Sequence, residues 1–339
     1  LAPTALHNMG KRQVGVPSIH GALDDFVTKL KRKQLGGGGG SSLALARHTT
    51  EVLIHAVAAQ QAPTVEGIIQ GVRAVSKKLV DARPLELVVG NMCRRVLHII
   101  REEADAQRTG GSGGGGGSEG SSDDGSSDGG EDGDEGGSGR RKMKAFKSEV
   151  IEVIGELIEE LESVSAHITQ QALEHISPQT VVFTSGGSEL VESFLREANR
   201  KRKFQTIVAE GAPGFSGHRM ARTLSEKGLE TTVVSDSAVF AVMSRANIVV
   251  IAAHGVFSNG GVLARAGDHT VALAAKQHAV PVVVLAGLHE LSPLGPGDPE
   301  FEMNDLLSPA DMIGYTALAD CLPLPASGAA SSSGEGGGG

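Results

Sequence analysis

The chain has 339 residues, 40% of them apolar, a net charge of −9, and 47 glycines concentrated in a few runs. That length and apolar share suit two ordinary domains with sizeable cores and exclude a wholly disordered protein. Eight acids fall between Glu119 and Glu135, leaving the remainder near neutrality, and with only nine Phe and one Tyr for base stacking nothing points to a nucleic-acid groove.

In chain order, residues 1–18 read as a disordered start, and residues 19–172 as a helical domain. Phe26, Val27 and Leu30 begin a short amphipathic helix, with Asp24 and Asp25 near its start and Lys29, Lys31, Arg32 and Lys33 near its end, the order that suits a helix dipole. After a glycine break at Gly36–Ser42, the residues Leu43, Ala46, Thr50, Leu53, Ile54 and Val57 fall on one helical face. A third helix runs from about Thr64 to Val80 with a stripe of Ile68, Ile69, Val72, Val75 and Leu79, and a fourth from about Leu87 to Glu103. Residues 110–139 are almost wholly Gly, Ser, Asp and Glu, a composition that buries too little apolar area to offset the entropy of ordering, and read as a disordered acidic insertion. Helix resumes at about Arg140 and continues to Gln171 through Phe146, Val150, Val153, Ile154, Leu157, Ile158 and Leu161.

From residue 173 to 325 the pattern changes. Short apolar runs at Val181–Thr184, Thr206–Ala209, Thr231–Val234, Ile248–Ala252 and Pro281–Leu285 alternate with helical stretches starting at Glu189, Gly217, Asp236 and Thr270. This alternation predicts a Rossmann-like α/β domain, a parallel sheet with helices on both faces, whose ligand crevice lies at the carboxyl ends of the strands. Residues 326–339 read as a disordered tail, and the start at Leu1 with a Ser/Gly end reads as a fragment or an incomplete gene model.

Cys93 and Cys321 lie far apart in no ligand-like spacing, which fits a reducing compartment and predicts a cytosolic chain without disulfides. His254, His269, His278 and His289 have no metal-ligand spacing, so neither a metal nor any cofactor is expected. The loop Thr184–Ser188 joins a strand to a helix and has two readings, a tight turn or an anion site on free helix amides, though it carries neither a dinucleotide fingerprint nor a phosphate-loop lysine. Glu210 and His218 flank another post-strand loop as a candidate acid–base pair or as plain surface polarity. Asp236 reads as a cap of free amides or as a substrate-orienting carboxylate. The absence of a Gly-x-Ser-x-Gly nucleophile elbow disfavours a hydrolase.

Several segments carry a resemblance. Val89–Glu103 (VGNMCRRVLHIIREE), Phe194–Ala198, Arg200–Phe204, Ile207–Glu210, Gly228–Val233, Phe240–Arg245 and His269–Lys276 are similar to the family of initiation factor 2B alpha, beta and delta subunits and methylthioribose-1-phosphate isomerases, and within it to the beta type. The resemblance implies a non-catalytic scaffold. Where the family's isomerases have a cysteine and an aspartate this chain has Gly186 and His254, and where they place a phosphate-binding arginine it has Ala212. Losing thiol, carboxylate and cation together removes the means of transition-state stabilisation. The implied partners are the alpha, delta, gamma and epsilon subunits, with delta as direct dimer partner, together with initiation factor 2. The implied role is regulation of guanine-nucleotide exchange and sensing of phosphorylated initiation factor 2 alpha. The alternative is a sugar-phosphate isomerase or sensor. An apolar interface is expected around Phe215, His218, Met220, Asp236, Phe240 and Met243, in loops and helices beside the crevice. The family's final aromatic-Val-Pro-Pro segment has no counterpart after Pro325, where Ala, Ser and Gly follow.

Overall fold

A computed structural model of the chain describes residues 19–32, 34, 41–110, 135–295 and 308–317. The expected disordered start at 1–18, most of the acidic insertion, the tail at 326–339 and Cys321 lie outside the described residues.

Five helices form the first part: α1 (Ile19–Lys31), α2 (Ser42–Ala59), α3 (Val65–Ala82), α4 (Leu87–Gly110) and α5 (Glu135–Gln170). They bury one shared core that includes Leu30, Leu53, Ile68, Leu79, Met92, Ile100, Phe146 and Ile154. Helix α2 packs on α1, α3, α4 and α5, which makes its buried stripe wider than the apolar pattern alone predicts. Thr49 and Thr50 are fully buried there because their hydroxyls donate to the carbonyls of Leu45 and Ala46, at 2.8 and 2.9 Å. At the start of α3 the Thr64 hydroxyl accepts from the Gly67 amide at 3.2 Å, satisfying one of the free donors at a helix N-terminus.

Two expected boundaries move. Helix α4 continues past Glu103 to Gly110, and α5 begins at Glu135, inside the expected insertion. Both helices have packed cores nearer their middles, and adding residues to an existing helix is far easier than nucleating one, so polar and even glycine-containing flanks are drawn into helical form.

The chain leaves α5 through the short α6 (Ala172–His175) and enters a five-stranded parallel sheet: β1 (Val181–Ser185), β2 (Gln205–Ala209), β3 (Glu230–Val234), β4 (Ile248–Ala252) and β7 (Val282–Leu285). Their order is β3-β2-β1-β4-β7. Helices α7 (Glu189–Lys201) and α8 (Ser216–Glu226) cover one face over Val182, Val208, Ile248 and Val250. Helices α9 (Val239–Met243) and α10 (Asp268–Gln277) cover the other over Phe183, Ala209, Val249 and Ile251. Burial on both faces explains why β1 and β4 read as unbroken apolar runs, whereas the edge strand β3 carries Glu230 and Thr232 in solvent. The fold is therefore the α/β arrangement that the strand–helix alternation predicts.

One element escapes the pattern. A small antiparallel hairpin, β5 (Gly255–Val256) with β6 (Val262–Leu263), closes around Asn259–Gly260, with Gly260 at φ +78°. Asn-Gly is a strong hairpin signal, but its two-residue strands are too short to show alternation. Among the described residues no helix is long and apolar enough to cross a membrane, and no three His, Cys, Asp or Glu side chains gather as a metal site.

Candidate functional site at the carboxyl ends of the strands

Strand order reverses between β1 and β4, so the loops that follow them bound the crevice where such sheets bind ligands. The loop after β1 reaches the N-terminus of α7, as the sequence suggests, and two of its polar groups are held within the fold, while the Ser188 side chain makes no cap bond. Ser185 Oγ donates to the Asp268 carboxylate, whose other oxygen accepts the Arg265 amide at 3.1 Å. The Gly187 amide donates to Ser216 Oγ at 3.0 Å.

Gly186 turns through φ +59°, a left-handed conformation open to glycine at little steric cost. A Cβ added there would sit 2.9 Å from an Arg265 guanidinium nitrogen. Arg265 therefore occupies the space that a side chain at 186 would need. The second loop closes from the other side, since Gly211, at φ +69°, lies so near that a Cβ on it would be 3.2 Å from Gly186 Cα.

The electrostatics are those of a half-buried cationic corner. Burial lowers the Arg265 pKa, Asp268 acts against that and Arg219 adds to it. Burial raises Asp268, while the Ser185 hydrogen bond and Arg265 pull it back. His254, which stands at the start of the turn into β5, is lowered by burial and then by Arg265 and Arg83, so its ring favours the neutral form.

The expected interface residues divide. Phe215 is 51% exposed and Phe240 57%, whereas Met220 and Met243 are 2% and 0% exposed. Both methionines point into the chain's own cores, on the two opposite sheet faces, and so do not contribute to an exposed surface. Helix phase explains the error: Met220 lies one turn from Leu224 on the buried stripe of α8, which the loop-centred reading did not resolve. Phe215, at φ +48°, sets its ring edge-on to His218 at 5.7 Å, and His218 Nε2 lies 3.6 Å from Glu210. The two side chains thus meet near the surface, a contact of the weak kind even where the imidazole carries a charge.

Asp236 caps, but not its own helix. Its two oxygens accept the Gly211 and Ala212 amides at 3.0 and 2.7 Å, which ties the Phe215 loop to the chain entering α9. On α9 the Phe240 ring lies 4.9 Å from His278, and beside it opens a groove lined by Phe240, Thr270, Leu273, Ala274, Lys276 and Gln277. Leu273 is 54% exposed and was not singled out from the sequence. The signal was available: Val271, Ala274 and Ala275 set the buried phase of α10, and Leu273 falls outside it.

Comparison with known proteins adds the family. Residues 40–316 match the model of the initiation factor 2 subunit family. Translation initiation factor eIF2B subunit beta of Dictyostelium discoideum is 35% identical over 324 residues, covering 86% of this chain and 82% of that protein. The subunit beta of Schizosaccharomyces pombe is 31% identical, covering 88% of each. Among solved structures, the tetrameric eIF2B-beta2-delta2 complex from C. thermophilum contains a chain that matches with TM-score 0.67 and 26% identity, over 82% of this chain and 81% of that one. The crystal structure of eIF2B beta from Chaetomium thermophilum matches at TM-score 0.65 and 26% identity, over 82% and 79%. With the helical part, the parallel sheet and most of the chain's length all matched, this chain belongs to the initiation factor 2 subunit family.

Proposed function

We propose that the chain is a non-catalytic, beta-type regulatory subunit of the guanine-nucleotide exchange factor for initiation factor 2, and that it pairs with a delta-type subunit through the sheet part. The observation that carries this reading is the exposed apolar groove at Phe240 and Leu273, since large apolar side chains left in solvent around a groove mark protein contact surfaces. The similar chain in a beta2-delta2 tetramer supports delta as the partner class. Phe215, His218 and Asp236 form the neighbouring polar-aromatic border, tied to the same face through the Asp236 bonds.

The lack of catalysis rests on Gly186, Ala212 and His254 and on Arg265 filling the space beside Gly186. With Gly186 in place of the thiol and His254 in place of the carboxylate, the crevice lacks the pair of groups through which the resembled isomerases work. Contact with alpha, gamma and epsilon subunits, and sensing of phosphorylated initiation factor 2 alpha through the helical part, complete the reading.

Co-expression with a tagged delta subunit tests it. The wild-type chain is expected to co-purify at equal stoichiometry, and Phe240→Glu with Leu273→Glu is expected to weaken capture by at least about tenfold, as truncation of central apolar anchors does. Equal capture of both chains would place the interface elsewhere. Turnover of a sugar phosphate by the purified chain would overturn the non-catalytic reading.

A further inference from the structure

The turn after β7 inverts the usual placement of side chains. Along Gly287–Ser292 the polar residues His289, Glu290 and Ser292 are 4%, 2% and 5% exposed, while Leu288 and Leu291 stand 57% and 48% in solvent. Burying a carboxylate and an imidazole costs free energy unless partners hold them, and two leucines in the same turn were available for an apolar seam.

The partners come from the helical part. Ser42, in the first turn of α2, donates its hydroxyl to Glu290 Oε1 at 2.5 Å and lies 3.3 Å from His289 Nε2. Asn91 of α4 donates to the His289 carbonyl at 2.9 Å. Glu290 also accepts the Gly287 amide at 2.8 Å, and Gly287 is required because a Cβ there would be 2.4 Å from the His289 ring. The turn is joined to the sheet side as well: Ser292 donates its amide to the Val256 carbonyl at 2.8 Å in β5, the strand just after His254.

The helical part meets the sheet part through these bonds and through apolar contacts, with Leu87 of α4 against Gly255 of β5 and Val164 of α5 beside Gly287 among them. Helix α5 continues into α6 and packs on α7, a connection that is covalent and partly apolar, with Ile168 against the sheet-side core. The contact of α2 and α4 with the Gly287–Ser292 turn is hydrogen-bonded and includes a buried acid. A contact held mainly by a few directional bonds opens locally at lower cost than one with many apolar contacts. We infer that Ser42, Asn91, His289 and Glu290 form a releasable latch that holds the α2–α4 face of the helical part against the sheet part, with α5 as the fixed side of the joint. This inference stands on the fold alone and does not depend on the choice of partner.

Ser42→Asp separates the latch from simple helix support. An aspartate in the first turn of α2 favours the helix through its dipole, but it places a second carboxylate against Glu290. Hydrogen exchange measured by mass spectrometry on the full chain is expected to accelerate by about tenfold or more at both sides of the latch, Ser42–Leu45 and Gly287–Ser292, while β4 stays at the wild-type rate. Adding Glu290→Gln, whose amide donates to the new carboxylate, is expected to return both segments to within about threefold of wild type. Ser42→Ala serves as the milder variant, with a smaller acceleration at the same two segments. An unchanged rate in Ser42→Asp, an equal acceleration in β4, or a double variant no slower than the single one would each overturn the latch.

Discussion

Lowering the pH should weaken the chain through His289, and the size of the effect follows from its surroundings. The ring is 4% exposed and its Nδ1 has no hydrogen-bond partner, so burial holds its pKa down, from 6.5 to about 4. The unfolded chain then binds a proton between those two values and the folded chain does not. Stability is complete above pH 6.5 and falls as pH drops toward 4. The full difference is worth about 3 kcal/mol at 1.36 kcal/mol per unit, and about 2 kcal/mol of it is lost by pH 5. Glu290, 3.8 Å from the ring, is raised by burial against the pull of Ser42 and Gly287, so its ionised form is the disfavoured one and its contribution runs in the opposite sense, improving as pH falls through its folded value. The comparison that isolates His289 is wild type against His289→Gln, which keeps a polar group in place but cannot titrate. Urea midpoints followed by circular dichroism at several pH values between 7 and 5 should converge, with wild type losing about 2 kcal/mol more than the variant. Two parallel curves, within about 0.5 kcal/mol over that range, would show that the folded state protonates the ring as readily as the unfolded chain does and would refute the argument.

Other outcomes follow from single contacts. Gly217→Ala would put a Cβ 2.1 Å from the Ala209 carbonyl oxygen, a backbone atom that cannot swing away, so a loss of about 2–4 kcal/mol is expected in a thermal melt. Thr64→Ala removes the cap of α3 and should lower stability by about 1 kcal/mol, whereas Thr64→Ser should be nearly neutral in the same measurement. Gly186→Cys is expected to destabilise the chain by about 1–3 kcal/mol without producing isomerase turnover, because Arg265 stands in the way and the left-handed backbone is strained for any other residue. Asp236→Ala should release the Phe215 loop, seen as faster amide exchange at Gly211 and Ala212, with little change in the sheet.

Much of this molecule can be read from spacing alone. The stripe of α3 and the apolar runs of β1 and β4 are visible because packing on one helical face, or on both sheet faces, imposes a simple period. What escapes is whatever depends on two distant segments meeting. Nothing local marks Ser42 as the partner of Glu290, 248 residues away, or explains why His289 rather than Leu288 is buried. Met220 and Met243 fail for a related reason: a loop-rich neighbourhood says where a residue is along the chain, while the phase of a short helix decides which way it points. In the crevice, the family resemblance implies glycine at 186 where the isomerases have cysteine, but the guanidinium of Arg265 lying over that glycine is a tertiary fact.

The placing of Arg265 over Gly186 also constrains the order in which these two positions can change. Shortening residue 265 first leaves room beside the glycine, and a side chain at 186 then meets only the Ser216 hydroxyl, 3.4 Å from its Cβ, and the strain of its left-handed backbone. Enlarging residue 186 first drives an atom to 2.9 Å from the guanidinium and forces that charge out of a position it shares with Asp268. The two substitutions are therefore epistatic, less harmful in one order than in the other.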